Sequence, residues 1–292
     1  MLPPFLSHGD LVAIVATARK ITPVELAGAV QLLEDAGLRV RFGDTIGLVN
    51  NQLAGSDVAR ATDLNKQLAD PEVKAILCAR GGYGSVRMVD GVDWSLLKTQ
   101  PKWIIGFSDF TVLHAHAHKH TGVATLHAEM AFNFGKEGKD PLSFTALLQV
   151  LQGHTVDYPL VPHRFNRGKS LQGELVGGNL SVLYSLLGSS SMPDLKGKIL
   201  FLEDLDEYLY HMDRMMMGLK RAGKLEGLAG LIVGGMTDMK DNAIAFGRDA
   251  EQIVFDAVDE YGYPLLFGFP AGHTALNMPI VFGGEIELRI PQ

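Results

Sequence analysis

The stretch Trp103-Ile104-Ile105-Gly106-Phe107-Ser108-Asp109-Phe110 decides how the rest of the chain is read. Its first three residues are an apolar run, and Asp109 to Thr121 continues as a helix-like segment. A strand that breaks into a helix at a serine lifts that hydroxyl out of the core. The first N–H groups of the following helix then lie beside it. There they can hold a negative oxygen, as acyl transfer requires. Serine is also a favoured helix cap, and the stretch lacks the second glycine of a G-x-S-x-G elbow. Taken alone, it leaves both roles for Ser108 open.

Upstream, apolar runs alternate with helix-period segments. Leu11 to Thr17 predicts a buried strand. Thr22-Pro23-Val24-Glu25 predicts a helix start, with Thr22 as cap, Pro23 at the first position and Glu25 completing a capping box. Arg39 to Thr45 predicts a second strand, Ser56 caps a second helix, and Val73 to Ala79 is a third strand. Ala124 to Ala128 follows as a fifth. This alternation implies a parallel sheet of Rossmann or flavodoxin type with right-handed crossovers. In such sheets ligands sit beyond the carboxyl ends of the strands. Two loops fall on that rim, Arg80-Gly81-Gly82-Tyr83-Gly84-Ser85 and Gly106 to Phe110. The order of glycines in the first fits neither a P-loop nor a dinucleotide fingerprint. It suits a tight turn or a loop whose N–H groups face a substrate oxygen.

At 292 residues the chain predicts two domains. Residues 1–153 form the first, 154–171 a proline- and arginine-bearing crossing, and 172–292 the second. The second half also alternates strands and helices, and its sheet is expected to be partly antiparallel or barrel-like. Strands are expected at Lys198 to Leu202, ending in Glu203-Asp204, and at Leu228 to Val233, ending at Gly234-Gly235. A net charge of −7 argues against a nucleic-acid partner. The N-terminus does not resemble a signal peptide and no run suggests a membrane span, so a cytoplasmic location is expected. The single cysteine, Cys78, sits in an apolar run and reads as a small buried hydrophobe.

A serine nucleophile needs a base, and the base needs an orienting carboxylate. There are ten histidines. His114, His116, His118 and His120 alternate along one helix without an accompanying carboxylate pattern, which reads as solvated helix faces rather than a metal site. No metal or cofactor is expected. His273 stands in a glycine-rich loop after a strand, where functional residues concentrate. Glu203, Asp204, Asp206 and Glu207 compete for the acid, and spacing does not choose among them.

Several motifs together resemble the LD-carboxypeptidases, serine peptidases that include the murein tetrapeptide carboxypeptidases and the microcin C immunity peptidases. They are Gly9 to Ala16, Ala79-Arg80-Gly81-Gly82-Tyr83-Gly84, Ile105-Gly106-Phe107-Ser108-Asp109, Gly177-Gly178-Asn179-Leu180, Leu202-Glu203-Asp204, Asp213-Arg214 and Gly272-His273. The resemblance implies two α/β domains, commonly dimeric, with a Ser-His-Glu triad in the cleft between them. Ser108 matches the nucleophile, Glu203 the orienting acid and His273 the base. Backbone N–H groups of Gly82 and Asp109 match the oxyanion hole, and domain closure would assemble the triad. The implied reaction removes a terminal D-alanine from a muropeptide. Hydrolysis of a peptide–nucleotide antibiotic is the alternative within the same chemistry, a non-catalytic binding protein another. Arg80 is a candidate for the substrate carboxylate, with Tyr83 beside it. The chain departs from the family at Glu129, His211 and Thr274, and Glu129 is expected to add a carboxylate that meets the substrate.

Overall fold

Residues 1–292 are described by the computed structural model. The first half contributes β1 (Leu11–Val15), α1 (Ala27–Asp35), β2 (Arg39–Phe42), α2 (Asp57–Ala69), β3 (Val73–Cys78), α3 (Ser85–Met88), α4 (Trp94–Thr99), β4 (Trp103–Gly106), α5 (Thr111–Thr121), β5 (Thr125–His127) and α6 (Leu142–Leu151). The second contributes β6 (Ser170–Asn179), α7 (Leu180–Ser185), β7 (Ile199–Leu205), α8 (Leu209–Arg221), β8 (Gly230–Thr237), α9 (Ala250–Val258), β9 (Leu265–Leu266), β10 (Ile280–Phe282) and β11 (Glu285–Arg289).

The local signals are realised at several starts. Glu25 Oε2 accepts from the Thr22 amide at 2.9 Å and Thr22 Oγ1 accepts from the Glu25 amide at 3.4 Å, a capping box. Ser56 Oγ accepts from the Ala59 amide at 3.1 Å to cap α2. β1 is buried along its whole length, as expected for a parallel strand covered on both faces. Leu11, Ala13 and Val15 enter one core, and Val12 and Ile14 the other.

The first sheet runs β10-β5-β4-β3-β1-β2. Its five N-terminal strands are parallel in flavodoxin-like order, so the order reverses between β1 and β3 and opens a crevice at their carboxyl ends. The sixth strand is less expected. β10 comes from near the C-terminus and pairs antiparallel with β5, Ile280 opposite His127. The second sheet runs β11-β6-β7-β8-β9, parallel except for β11. Of the expected crossing, 154–171, residues 154–169 carry no helix or strand, and its last two residues, Ser170 and Leu171, already belong to β6.

The halves share one hydrophobic cluster, which includes Leu113 of α5 and Phe110 just before it, together with Leu180, Met212 and Val233 of the second half. Of the α5 histidines, His114 and His116 are buried rather than on solvated faces, His118 is half-buried and His120 stays exposed. His114 is buried, bonded to Thr125 Oγ1 at 2.8 Å and to the Gly106 carbonyl at 2.9 Å. His116 is buried and bonds Ser191 Oγ at 2.8 Å. His118 meets Glu174 at 2.5 Å, and His120 the Ser190 carbonyl at 3.1 Å. A histidine's burial depends on partners supplied by distant segments, which helical spacing does not reveal. No three His, Cys, Asp or Glu side chains gather so as to hold a metal ion. No helix is long and apolar enough to cross a membrane.

Candidate active site

β4 ends at Gly106, and Ser108 opens a short 3-10 turn before α5. Ser108 has φ of +62°, a left-handed conformation that costs a residue with a Cβ about 1–3 kcal/mol. Its hydroxyl caps no helix. It points instead across the junction of the halves, 3.1 Å from Nε2 of His273.

Glu203 lies on β7 itself, not beyond its end as the sequence suggested. The pairing of β7 with β8 shifts register between Leu202 and Asp204, an irregularity that re-aims side chains at this point. Glu203 is fully buried. Its Oε2 is 2.7 Å from His273 Nδ1 and accepts from the His273 amide at 3.2 Å. Gly272, at φ +107°, permits this approach, since a Cβ there would lie 2.7 Å from the Glu203 side chain. Ser108, His273 and Glu203 thus form one hydrogen-bonded series in the structure as it stands, and no closing motion is needed to bring them together.

Burial alone would lower the His273 pKa. The charge of Glu203 and its hydrogen bond, with Asp204 behind, outweigh burial and raise it. Asp204 is pushed up to about 7, first by burial and then by the neighbouring Glu203. It accepts from Asn179 Nδ2 and from the amides of Ser181 and Leu205, each at 2.9 Å.

Gly81 packs against Ser108, with 3.4 Å between an added Cβ and the serine Cβ. The loop it belongs to is held from two sides. Asp109 Oδ2 accepts from the Ser85 amide at 2.8 Å, and buried Arg60 donates to the carbonyls of Gly84 and Thr17 at 2.8 and 2.6 Å. Gly81 and Asp109 therefore border Ser108 on a rigid support, Gly82 lines the same cleft, and the Asp109 amide is a first-turn donor without an intrahelical acceptor.

Gly81, Gly82, Ser108, Asp109, Asp204 and His273 line a cleft of about 490 Å³. Arg80 and Tyr83 line it too, as the sequence suggested. Sequence reasoning missed Arg19, in the loop after β1. It belongs to no motif, but it follows a parallel strand on the same rim that marked the Gly81 and Ser108 loops. Glu129 does not meet the cleft. It is buried, with Oε2 3.1 Å from Lys139 Nζ and Oε1 accepting from Asn133 Nδ2 at 2.5 Å. His211 of α8 bonds Glu207, just before that helix, at 2.6 Å.

Comparison with known proteins finds matches to both halves of the chain. Residues 12–128 match the LD-carboxypeptidase N-terminal domain and residues 172–288 the LD-carboxypeptidase C-terminal domain. The chain is 37% identical to the "Probable murein peptide carboxypeptidase" of Bacillus subtilis, over 98% of this chain and 91% of that one. It is 29% identical to the "Murein tetrapeptide carboxypeptidase" of Pseudomonas aeruginosa, over 95% and 92%. Among solved structures it superposes on MccF in complex with glutamyl sulfamoyl guanosine with a TM-score of 0.88 at 22% identity, covering 98% and 95% of the two chains. A muramoyltetrapeptide carboxypeptidase from Oxalobacter formigenes gives 0.84 at 25%, covering 97% and 99%. Matched along both halves, the chain belongs to the LD-carboxypeptidase family of serine peptidases.

Proposed function

We propose that the protein removes the terminal D-alanine from muropeptide tetrapeptides, cutting after the L-configured centre of the third stem residue. The hydrogen-bonded series Ser108–His273–Glu203 at the cleft carries this reading. Ser108 Oγ attacks the carbonyl carbon while its proton passes to His273 Nε2. Glu203 holds the ring with Nδ1–H donating to it, so that Nε2 is the free acceptor, and it stabilises the imidazolium. The amides of Gly82 and Asp109 take the charge on the carbonyl oxygen, a contribution of about 3 kcal/mol per donor. Collapse breaks the C–N bond, and His273 returns the proton to the departing amine of D-alanine. Water, deprotonated by His273, then cleaves the acyl ester and restores Ser108.

The names of the two murein-acting relatives support the muropeptide over a peptide–nucleotide substrate. A cytoplasmic homodimer acting in cell-wall recycling completes the proposal, and the family resemblance alone carries the dimer. Mass-resolved digestion of a murein tetrapeptide tests it. Release of free D-alanine by the wild type and none by Ser108→Ala is expected. Release by both would remove Ser108 from the chemistry, and release by neither would reject the substrate.

A further inference from the structure

An exopeptidase must bind a free carboxylate, and chain geometry limits where. The terminal carboxylate carbon is three bonds from the carbonyl carbon under attack, so it lies within about 4 Å of it. The cation that receives it must therefore adjoin the loop holding the oxyanion.

Two arginines line the cleft, and their surroundings differ. Arg80 lies 3.8 Å from Glu25 Oε1 with its guanidinium 4.4 Å over Phe132. Arg19 is exposed and has no ion-pair partner. Its stem crosses the Cα of Gly82, at φ +113°, so closely that a Cβ there would be 2.6 Å from Arg19 Cδ and 2.9 Å from Nε. The guanidinium is thus carried on the oxyanion loop itself. The acids of the cleft are engaged elsewhere. Asp206 pairs with Lys240 at 2.5 Å, Glu207 with His211 at 2.6 Å, and Asp204 accepts its three donors.

We infer that Arg19, rather than Arg80, binds the terminal carboxylate of the leaving residue and makes the enzyme an exopeptidase. This rests on the carboxypeptidase reading above. The planar fork of arginine can take both carboxylate oxygens, and it leaves a C-terminal amide with one acceptor and a mismatched donor pair.

The test is binding to the Ser108→Ala protein, so that turnover does not enter. Acetyl-L-lysyl-D-alanine is titrated calorimetrically as the free acid and as the carboxamide. The parent is expected to prefer the acid at least tenfold. Arg19→Met is expected to abolish that preference, Arg19→Lys to restore part of it, and Arg80→Met to keep it. Arg19 is exposed, and matched melting curves verify that its variants fold. A preference that survives Arg19→Met, one lost in Arg80→Met alone, or none in the parent overturns the assignment. D-alanine release from the free acid by the wild type is measured in parallel. No release, with an Arg19-dependent preference intact, rejects the proposed reaction and leaves the carboxylate site standing.

Discussion

Glu203 Oε2 accepts two hydrogen bonds from one residue, the ring Nδ1–H of His273 at 2.7 Å and its backbone amide at 3.2 Å. The first fixes the tautomer and the second fixes the loop. An amide in place of the carboxylate can satisfy only part of this. Glu203→Gln is expected to lower kcat by about 10³–10⁴-fold, with KM changed far less, because the loss falls on the imidazolium formed in the transition state. Steady-state kinetics on one muropeptide measures it. A change confined to KM would place Glu203 in binding instead.

In the proposed mechanism His273 must be neutral to accept the serine proton. Its pKa is raised above the ordinary 6.5, so the acid limb of kcat/KM is expected above pH 6.5, with activity falling as pH drops through it. Asp204 is among the charges that raise it. Asp204→Asn is expected to move the limb to lower pH, and an unmoved or raised limb in a pH–rate profile would contradict this.

Lys139 joins two tasks. It pairs with buried Glu129 at 3.1 Å and donates to the Thr274 carbonyl at 3.0 Å, one residue from His273. Lys139→Met leaves Glu129 buried without its cation, with an expected cost of about 2–3 kcal/mol by denaturant unfolding. Glu129→Gln should cost less, because Lys139 is a quarter exposed and can turn to water. The double variant should recover about 1 kcal/mol or more relative to additivity. Since Lys139 lowers the His273 pKa, Lys139→Met should also shift the acid limb upward, opposite to Asp204→Asn.

His127 is fully buried among Phe107, Phe201 and Phe282, and neither ring nitrogen has a hydrogen-bond partner. Burial, then the nearby histidines, hold its pKa well below 6.5. Below that pH the unfolded chain takes up a proton that the native state refuses, so stability contributed by neutral His127 is lost as pH falls. His127→Phe removes the linkage. Its stability relative to wild type is expected to rise by about 1.4 kcal/mol per pH unit below 6.5, whatever the constant packing offset. Parallel ΔG–pH curves would refute it.

β1, β3 and β4 were legible because parallel strands buried on both faces are unbroken apolar runs, whereas the edge strand β2 showed only alternation. Ser108 announced itself through the strand before it. Glu203 was harder. β7 continues through Glu203 and Asp204, and two consecutive acids imitate the end of a strand when their partners, His273 and the Asn179 turn, come from other segments. The same limit hid the Lys139 partner of Glu129, which reverses that residue from a substrate-facing charge to a neutralised one. It also hid the burial of His114 and His116, and the recruitment of β10 into the first sheet, where apolar content marks a strand but not which sheet receives it. The triad itself came from family resemblance, since spacing left four acids in contention.

The pairing of Ile280 with His127 has a consequence for synthesis. As the chain leaves the ribosome, β5 is made long before its outer neighbour exists. Through that interval the edge of the first sheet offers unpaired backbone groups, the arrangement that recruits other chains. The first sheet is therefore closed only once β10 has been made, and a chain cut short before Ile280 is expected to associate through the open edge of β5.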